Sequence, residues 1–320
     1  MLENILYLSA GSRRWGAGHL SRSKQLIRIL RQRGAVLKTF AYVPEQADAE
    51  SLNPFLNVYD ATACSLNEIS LTNPSGIIVD VNTEFQPELF AWLEARKIPT
   101  VALDWYNERG TVIKAVANLR GGASALKYCL IREEFRKALQ KPVSQIPDSD
   151  AVVVMGGGDP RDCLSKVFKL FHENRNFADY HITIIVGPMV TGRLAKLAGQ
   201  SIGPLKLIKN PDNLADVMAG ATIGLTNGGT TLMEFSSLGI PTIIFPQSEE
   251  EDNFIQPFLE HGGSLSGSLE QTEFVAQIHK LWENKKMRNS MREKAMKLID
   301  GLGGDRIADL IFKTFSESNK

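Results

Sequence analysis

Residues 226–241 read TNGGTTLMEFSSLGIP and stand between two apolar runs, ATIGL at 221–225 and TIIF at 242–245. No other stretch constrains the fold as much. An apolar run, a glycine turn, a short amphipathic segment and a second apolar run spell strand, loop, helix, strand. Glycines let the backbone approach a ligand with no Cβ in the way, and a helix start offers N–H groups to an anion. Glu234 follows Thr230 by four residues, so the two share a helix face. A hydroxyl-rich, glycine-opened helix start with a carboxylate one turn in suits a phosphorylated sugar or nucleotide. Phosphate oxygens would meet the N–H groups, and ribose hydroxyls the carboxylate.

The same grammar runs through the chain. Residues 5–9 (ILYLS) form a strand pattern, and Leu20, Ser23, Ile27 and Leu30 then recur at helical spacing until Gly34 stops the helix. Strands follow at 36–43, 77–81 (IIVDV) and 100–103 (TVAL), the last two separated by a helix over 87–96. The polar, proline-containing stretch 140–150 reads as a linker, after which the pattern restarts with AVVVM at 151–155. Further strands fall at 181–186 and 205–208, helices at 163–173, 193–198 and 213–219, and a helical tail at 273–316 is broken by glycines. Continuous apolar strands alternating with helices predict an α/β protein with parallel, doubly wound sheets. Two such domains are expected, at 1–143 and 144–320, facing a cleft, the last helices able to pack back on the first domain. Ligands of such sheets bind at the carboxyl ends of the strands.

With 36 basic and 36 acidic residues among 320, the chain has no global field to draw nucleic acid or anionic lipid. Cys64, Cys129 and Cys163 have no ligand spacing, so neither a metal site nor a disulfide framework is expected. No apolar run of 18 residues occurs, and the expectation is a cytoplasmic protein, monomer or homodimer, without a cofactor.

Two more glycine loops stand at strand ends. In the first, Gly16 and Gly18 precede His19, Ser21 and Arg22; a serine where a third glycine would stand argues against dinucleotide binding. His19 opens a helix, whose N-terminus disfavours the imidazolium and leaves a neutral imidazole able to act as a general base. In the second, Gly156, Gly157 and Gly158 precede Asp159-Pro160, a helix-start signal. Three glycines in a row suit close backbone approach to a diphosphate. Asp80 and Asp104 each close a strand, and two readings stay open for them: cleft-facing carboxylates or caps of the next helix. The acidic run 249–252 reads as a solvated helix start.

Four segments carry a resemblance: GAGHLSRS at 16–23, LIREEF at 130–135, VMGGGDPRD at 154–162 and NGGTTLMEFSSLGIP at 227–241. In these the chain resembles the UDP-sugar hydrolases of the pseudaminic acid pathway and the related spore-coat polysaccharide biosynthesis proteins, within the GT-B glycosyltransferase superfamily. The resemblance implies two Rossmann-like domains, with a UDP-sugar held mainly by the second. Gly228, Gly229, Thr230 and Thr231, with Asn227, would face the diphosphate, Glu234 the ribose, and backbone near Ile208 the uracil. His19 would take the place of the catalytic histidine that activates water, with no metal required. Two departures stand out. The hydrolases carry a tyrosine-ending cluster where this chain has Asp80-Val81-Asn82, and an Asn-Gln pair where it has 249–253, with Asn253 the displaced candidate. Asp80, Asn82 and Asp104 are the candidates on the sugar side. The expected activity is hydrolysis of a UDP-sugar in bacterial surface-glycan synthesis; the alternatives are transfer of the sugar to an acceptor hydroxyl, or nucleotide-sugar binding without turnover.

Overall fold

A computed structural model describes residues 2–10, 18–42, 62–64, 74–81, 85–105, 110–119, 123–139, 149–156, 159, 161–187, 190, 192–209 and 211–318. The chain divides into two compact units, Met1–Leu130 with Leu302–Lys320, and Ile131–Gly301. Most of the expected linker, 140–148, lies outside the described residues.

The first unit is built on β1 (Ile5–Ala10), β2 (Leu37–Tyr42), β3 (Thr62–Cys64), β4 (Gly76–Asp80), β5 (Thr100–Leu103) and β6 (Ile113–Ala117). They lie in the order β3-β2-β1-β4-β5-β6 and pair in parallel. Strand order therefore reverses between β1 and β4. Helices α1 (Gly18–Gln32), α2 (Gln86–Arg96) and α3 (Ala123–Leu126) belong to this unit, as does the C-terminal helix Gly303–Ser318. Alternate residues of β1 serve opposite faces, as the pleat requires. Tyr7 packs with Leu26 and Leu30 of α1 and with Ile311 and Phe315 of the C-terminal helix. Leu6 and Leu8 pack with Leu89 and Leu93 of α2. Burial on both faces explains why the strands are continuous apolar runs; each fully buried Leu contributes about 1.5–3 kcal/mol. Gly76 is a close-approach glycine, since a Cβ there would stand 2.7 Å from the Phe315 ring.

The second unit holds β7 (Ser149–Val154), β8 (Ile182–Val186), β9 (Ser201–Ile202), β10 (Leu205–Lys209), β11 (Ala221–Thr226), β12 (Thr242–Ile244) and β13 (Ser264–Ser266). Their order is β13-β12-β11-β7-β8-β10-β9, parallel throughout except for the short β9 against β10. Here the order reverses between β7 and β11. The helices are α4 (Glu133–Ala138), α5 (Cys163–Glu173), α6 (Gly192–Leu197), α7 (Leu214–Ala219), α8 (Thr230–Leu238), α9 (Glu249–Phe254), α10 (Gln256–Glu260), α11 (Gln271–Glu283) and α12 (Lys285–Leu298). Val153, Ile184 and Leu225 of the sheet meet Phe171 and Phe274, whose rings pack edge-on at 5.0 Å.

The strands and helices read from apolar spacing are present. Absent from that reading are β3, β6, β9, β13 and the short helices α3, α4 and α10. Three of these strands have two or three residues, and β6 is an edge strand of mixed burial, so the period-two signal is weak.

Candidate functional site

In doubly wound sheets, ligands bind at the carboxyl ends of the strands where the order reverses. In the second unit that point lies between β7 and β11, and a glycine stands two residues past the end of each strand. Gly156 follows β7 with φ +77°, a conformation that favours glycine. After β11 come Asn227, Gly228 and Gly229, and α8 then starts at Thr230 with Gly229 as its N-cap and, among the described residues, no side-chain cap. The helix closes on Gly239, at φ +68°, whose N–H donates to the carbonyls of Phe235 and Ser236. The strand-turn-helix read from residues 226–241 is thus in place, with an uncapped helix start suited to an anion.

Gly228 has a packing reason as well. A Cβ there would stand 2.7 Å from Ile255 Cγ2 and 2.8 Å from Glu251 Cβ, so glycine lets the turn lie against α9. Glu251 then knits the site together. The Ser248 hydroxyl accepts the Glu251 N–H (3.1 Å), capping α9. The Glu251 carboxylate accepts from the N–H groups of Gln247 (2.7 Å) and Gly228 (3.0 Å) and from Asn227 Nδ2 (2.6 Å). The acidic run therefore does open a helix, but Glu251 turns inward instead of into solvent, while Asn253, the candidate drawn from the resemblance, is exposed. A Ser-x-x-Glu spacing at 248–251 is a capping-box signal that could have singled out Glu251.

Around this brace, polar atoms are buried without a hydrogen-bond partner among the described residues: Thr226 Oγ1, Asn227 Oδ1, and both Gln247 amide atoms, Nε2 and Oε1. Gln247 is only 7% exposed. Each such group costs on the order of 1–3 kcal/mol when left unpaired. Gly156 adjoins them, its Cβ position 3.5 Å from Asn227 Oδ1. Donors and acceptors are thus held ready at the reversal point.

Glu234, one turn into α8, is 3% exposed. Both its oxygens accept from the fork of Arg132, Nε to Oε1 at 2.6 Å and Nη2 to Oε2 at 2.8 Å. Arg132 is the N-cap residue of α4, stacks over Phe135 with 4.9 Å to the ring centroid, and also pairs with Glu134 at 3.2 Å. Burial raises the Glu234 pKa above the ordinary carboxylate value, and the bonds and charge of Arg132 oppose the rise. The LIREEF segment thus supplies the cation for the carboxylate expected at the ribose. Sequence spacing of 102 residues could not reveal that partner.

Other expected residues are placed as follows. Asp159 accepts from the N–H groups of Cys163 (2.8 Å) and Leu164 (2.6 Å), but the helix starts later than the Asp-Pro signal implies, at Cys163 with Asp162 as the N-cap residue of α5. Ile208 is half-buried in β10, opposite Ile185 of β8. Gly16, Asn82, Gly157 and Gly158 lie outside the described residues. Gly18 and His19 open α1, and the side chain of His19 is likewise outside the described set.

In the first unit, Arg22, Asp80 and Asp104 come together. Arg22 Nε donates to both Asp80 oxygens (3.0 and 2.8 Å), Nη2 also donates to Asp80, and Nη1 donates to Asp104 Oδ2 (2.6 Å). Burial alone would lower the guanidinium pKa, but the two carboxylates hold it above its ordinary value. Asp80 and Asp104, read from sequence as cleft carboxylates or caps, are here the counter-ions of Arg22, the residue that closes the first glycine-loop segment.

Residues 151–302 match the glycosyltransferase family 28 C-terminal domain. The matched region contains the β7/β11 reversal point with its turn, helix start and Glu234. Over 189 residues the chain is 22% identical to the spore coat polysaccharide biosynthesis protein SpsG of Bacillus subtilis, covering 58% of this chain and 56% of that protein. An uncharacterised protein of Methanocaldococcus jannaschii is 28% identical over 143 residues, covering 42% of this chain and 29% of that one. The chain thus spans about half or less of the length of these curated relatives. Solved structures extend the likeness over nearly the whole chain. The spinosyn forosaminyltransferase SpnP superposes with a TM-score of 0.70 at 10% identity, covering 99% of this chain and 100% of that one. MurG of Acinetobacter baumannii gives 0.66 at 11% identity, covering 97% and 99%. UDP-GlcNAc 2-epimerase of Neisseria meningitidis, bound to UDP-GlcNAc, gives 0.61 at 14% identity, covering 97% and 100%. At such identities the likeness speaks for the fold, which is GT-B with two Rossmann-like parallel-sheet domains. Among the described residues no helix is long and apolar enough to cross a membrane.

Proposed function

We propose that this chain is a GT-B enzyme that takes a sugar from a UDP-linked donor and transfers it to an acceptor hydroxyl in surface-polysaccharide synthesis. The observation that carries this reading is a coincidence of place. The stretch matching a glycosyltransferase domain is the one in which unpartnered buried polar atoms, an uncapped helix start and Glu234 gather at a strand-order reversal. The diphosphate would take the N–H groups at the start of α8, and the ribose hydroxyls would approach Glu234 beside Arg132. Thr226, Asn227 and Gln247 would complete the polar wall. His19 would accept the proton of the acceptor hydroxyl as its oxygen attacks the anomeric carbon. The bond from that carbon to the β-phosphate oxygen then breaks, and UDP leaves, its charge stabilised by the helix start.

The match to a glycosyltransferase domain favours transfer over the hydrolysis expected from the resemblance. SpsG, named for polysaccharide biosynthesis, supports the glycan context. The two activities separate cleanly. UDP release from UDP-sugars is followed with and without a mixture of acceptor glycans. Transfer predicts release that depends on acceptor and is lost in His19→Ala; release at full rate in water alone would show hydrolysis instead. Binding of UDP without turnover under any condition would leave a nucleotide-sugar-binding protein.

A further inference from the structure

The strand ends of the first unit hold a charged brace whose geometry is over-determined. Asp104 follows β5 with φ +49°, a left-handed conformation that residues with a Cβ adopt infrequently, aspartate more readily than most. Four contacts among the described residues hold it. Its N–H donates to the Ala117 carbonyl at 3.0 Å, and its own carbonyl accepts from Gln86 Nε2 at 2.8 Å. Its carboxylate accepts from the Leu119 N–H at 2.6 Å and from Arg22 Nη1 at 2.6 Å. Asp80, at the end of β4, is fully buried and accepts from Arg22 and from Ser23 Oγ at 3.1 Å.

Buried ion pairs are a poor means of adding stability, because apolar packing in their place is often neutral or better. What a bidentate guanidinium gives instead is a fixed direction. Here it ties the first turns of α1 to the ends of β4 and β5. Position 19 lies three and four residues before Arg22 and Ser23, one turn along the same stripe of the helix. β4, whose last residue Asp80 is held by Arg22, is one of the two strands between which the order of this sheet reverses.

We propose that Arg22, clamped by Asp80 and Asp104, is the positioning residue for the His19 turn: it sets where the base stands relative to the strand ends, without touching the substrate. The proposal deepens the transferase reading and rests on it for His19's role as base, but the brace itself can be read without turnover.

The test uses the full chain and three mild variants, Arg22→Lys, Asp104→Asn and the double variant, since an ammonium keeps the charge but cannot span two carboxylates as the fork does. Hydrogen exchange should rise about tenfold in Arg22→Lys for the amides of residues 22–26, the first whose i−4 carbonyls belong to α1, with those of α2 unchanged. UDP affinity should stay at the wild-type value. With a turnover assay, kcat should fall about 100-fold at unchanged KM, the loss expected of a displaced catalytic group. Asp104→Asn should reproduce that loss, and the double variant should add little, because each change breaks the same clamp. Unaltered exchange at 22–26 in a folded Arg22→Lys would overturn the proposal. So would a loss expressed as raised KM, which would put Arg22 on the substrate. Failure of the transferase reading shows differently: UDP release would then be independent of acceptor, or His19→Ala would turn over like wild type, while the exchange experiment still decides the brace.

Discussion

The two sheets treat their strand ends in opposite ways. In the first unit, the charges at the ends of β4 and β5 are closed on one another, with Arg22 spanning Asp80 and Asp104. In the second, the ends of β11 and β12 leave Thr226, Asn227 and Gln247 with buried polar atoms that no described group satisfies. A folded protein does not keep several unpaired buried atoms in one place for stability, since each one costs. On the reading proposed above, the closed end holds geometry and the open end receives a ligand. This division of labour can be broken or sharpened by substitution.

The largest effect belongs to the closed end. Arg22→Leu leaves two buried carboxylates without their counter-ion and should cost roughly 4 kcal/mol of stability, read from urea unfolding. Next comes Arg132→Ala in the second unit. It strands the buried Glu234, and about 3 kcal/mol should be lost, less than at Arg22 because Arg132 is 35% exposed on its side chain. Gly224→Ala should cost about 2 kcal/mol, because the new Cβ would stand 2.6 Å from the buried Phe235 ring. The open end should behave in the reverse manner. Gln247→Leu, which removes two unpaired atoms, should leave the thermal midpoint level or raise it by about 1 kcal/mol equivalent while weakening UDP binding at least ~10-fold. A Gln247→Leu protein that unfolds like Arg22→Leu would erase the contrast.

The smallest effect is a pH dependence. Burial raises the Glu234 pKa in the folded state, so protonation of this group favours folding. Its stabilising contribution is full below the ordinary carboxylate pKa and is lost as pH rises through the elevated value. Glu234→Gln should flatten the stability profile across that acid window, measured by unfolding at a series of pH values; an unchanged slope would show that the group contributes nothing there.

Much of this was legible in the sequence, for physical reasons that can be named. Parallel strands buried on both faces must be apolar throughout, so β1, β4, β7, β8 and β11 announced themselves. Glycine turns followed by helix starts marked the reversal point of the second sheet. Pairings made across long sequence separations were not legible. Arg132 stood inside a segment already singled out, yet nothing local says that its fork closes on Glu234. Asp80 and Asp104 were recognised as strand-end carboxylates, but only the fold brings Arg22 between them. Glu251 stands in a run of four acids that period and charge leave equal; the Ser-x-x-Glu spacing from Ser248 sets it apart, but only the fold shows its bonds to Asn227 and Gly228.

The central claim is that the open end of the second unit receives a nucleotide sugar's UDP. Calorimetric titration of the full chain with UDP, repeated on Gln247→Leu and on Asp80→Asn, tests it most directly. The account predicts one site per chain in the wild type and in Asp80→Asn, and binding weakened at least ~10-fold in Gln247→Leu. Absence of UDP binding by a folded wild-type chain, or loss of binding in Asp80→Asn with Gln247→Leu unaffected, would contradict it.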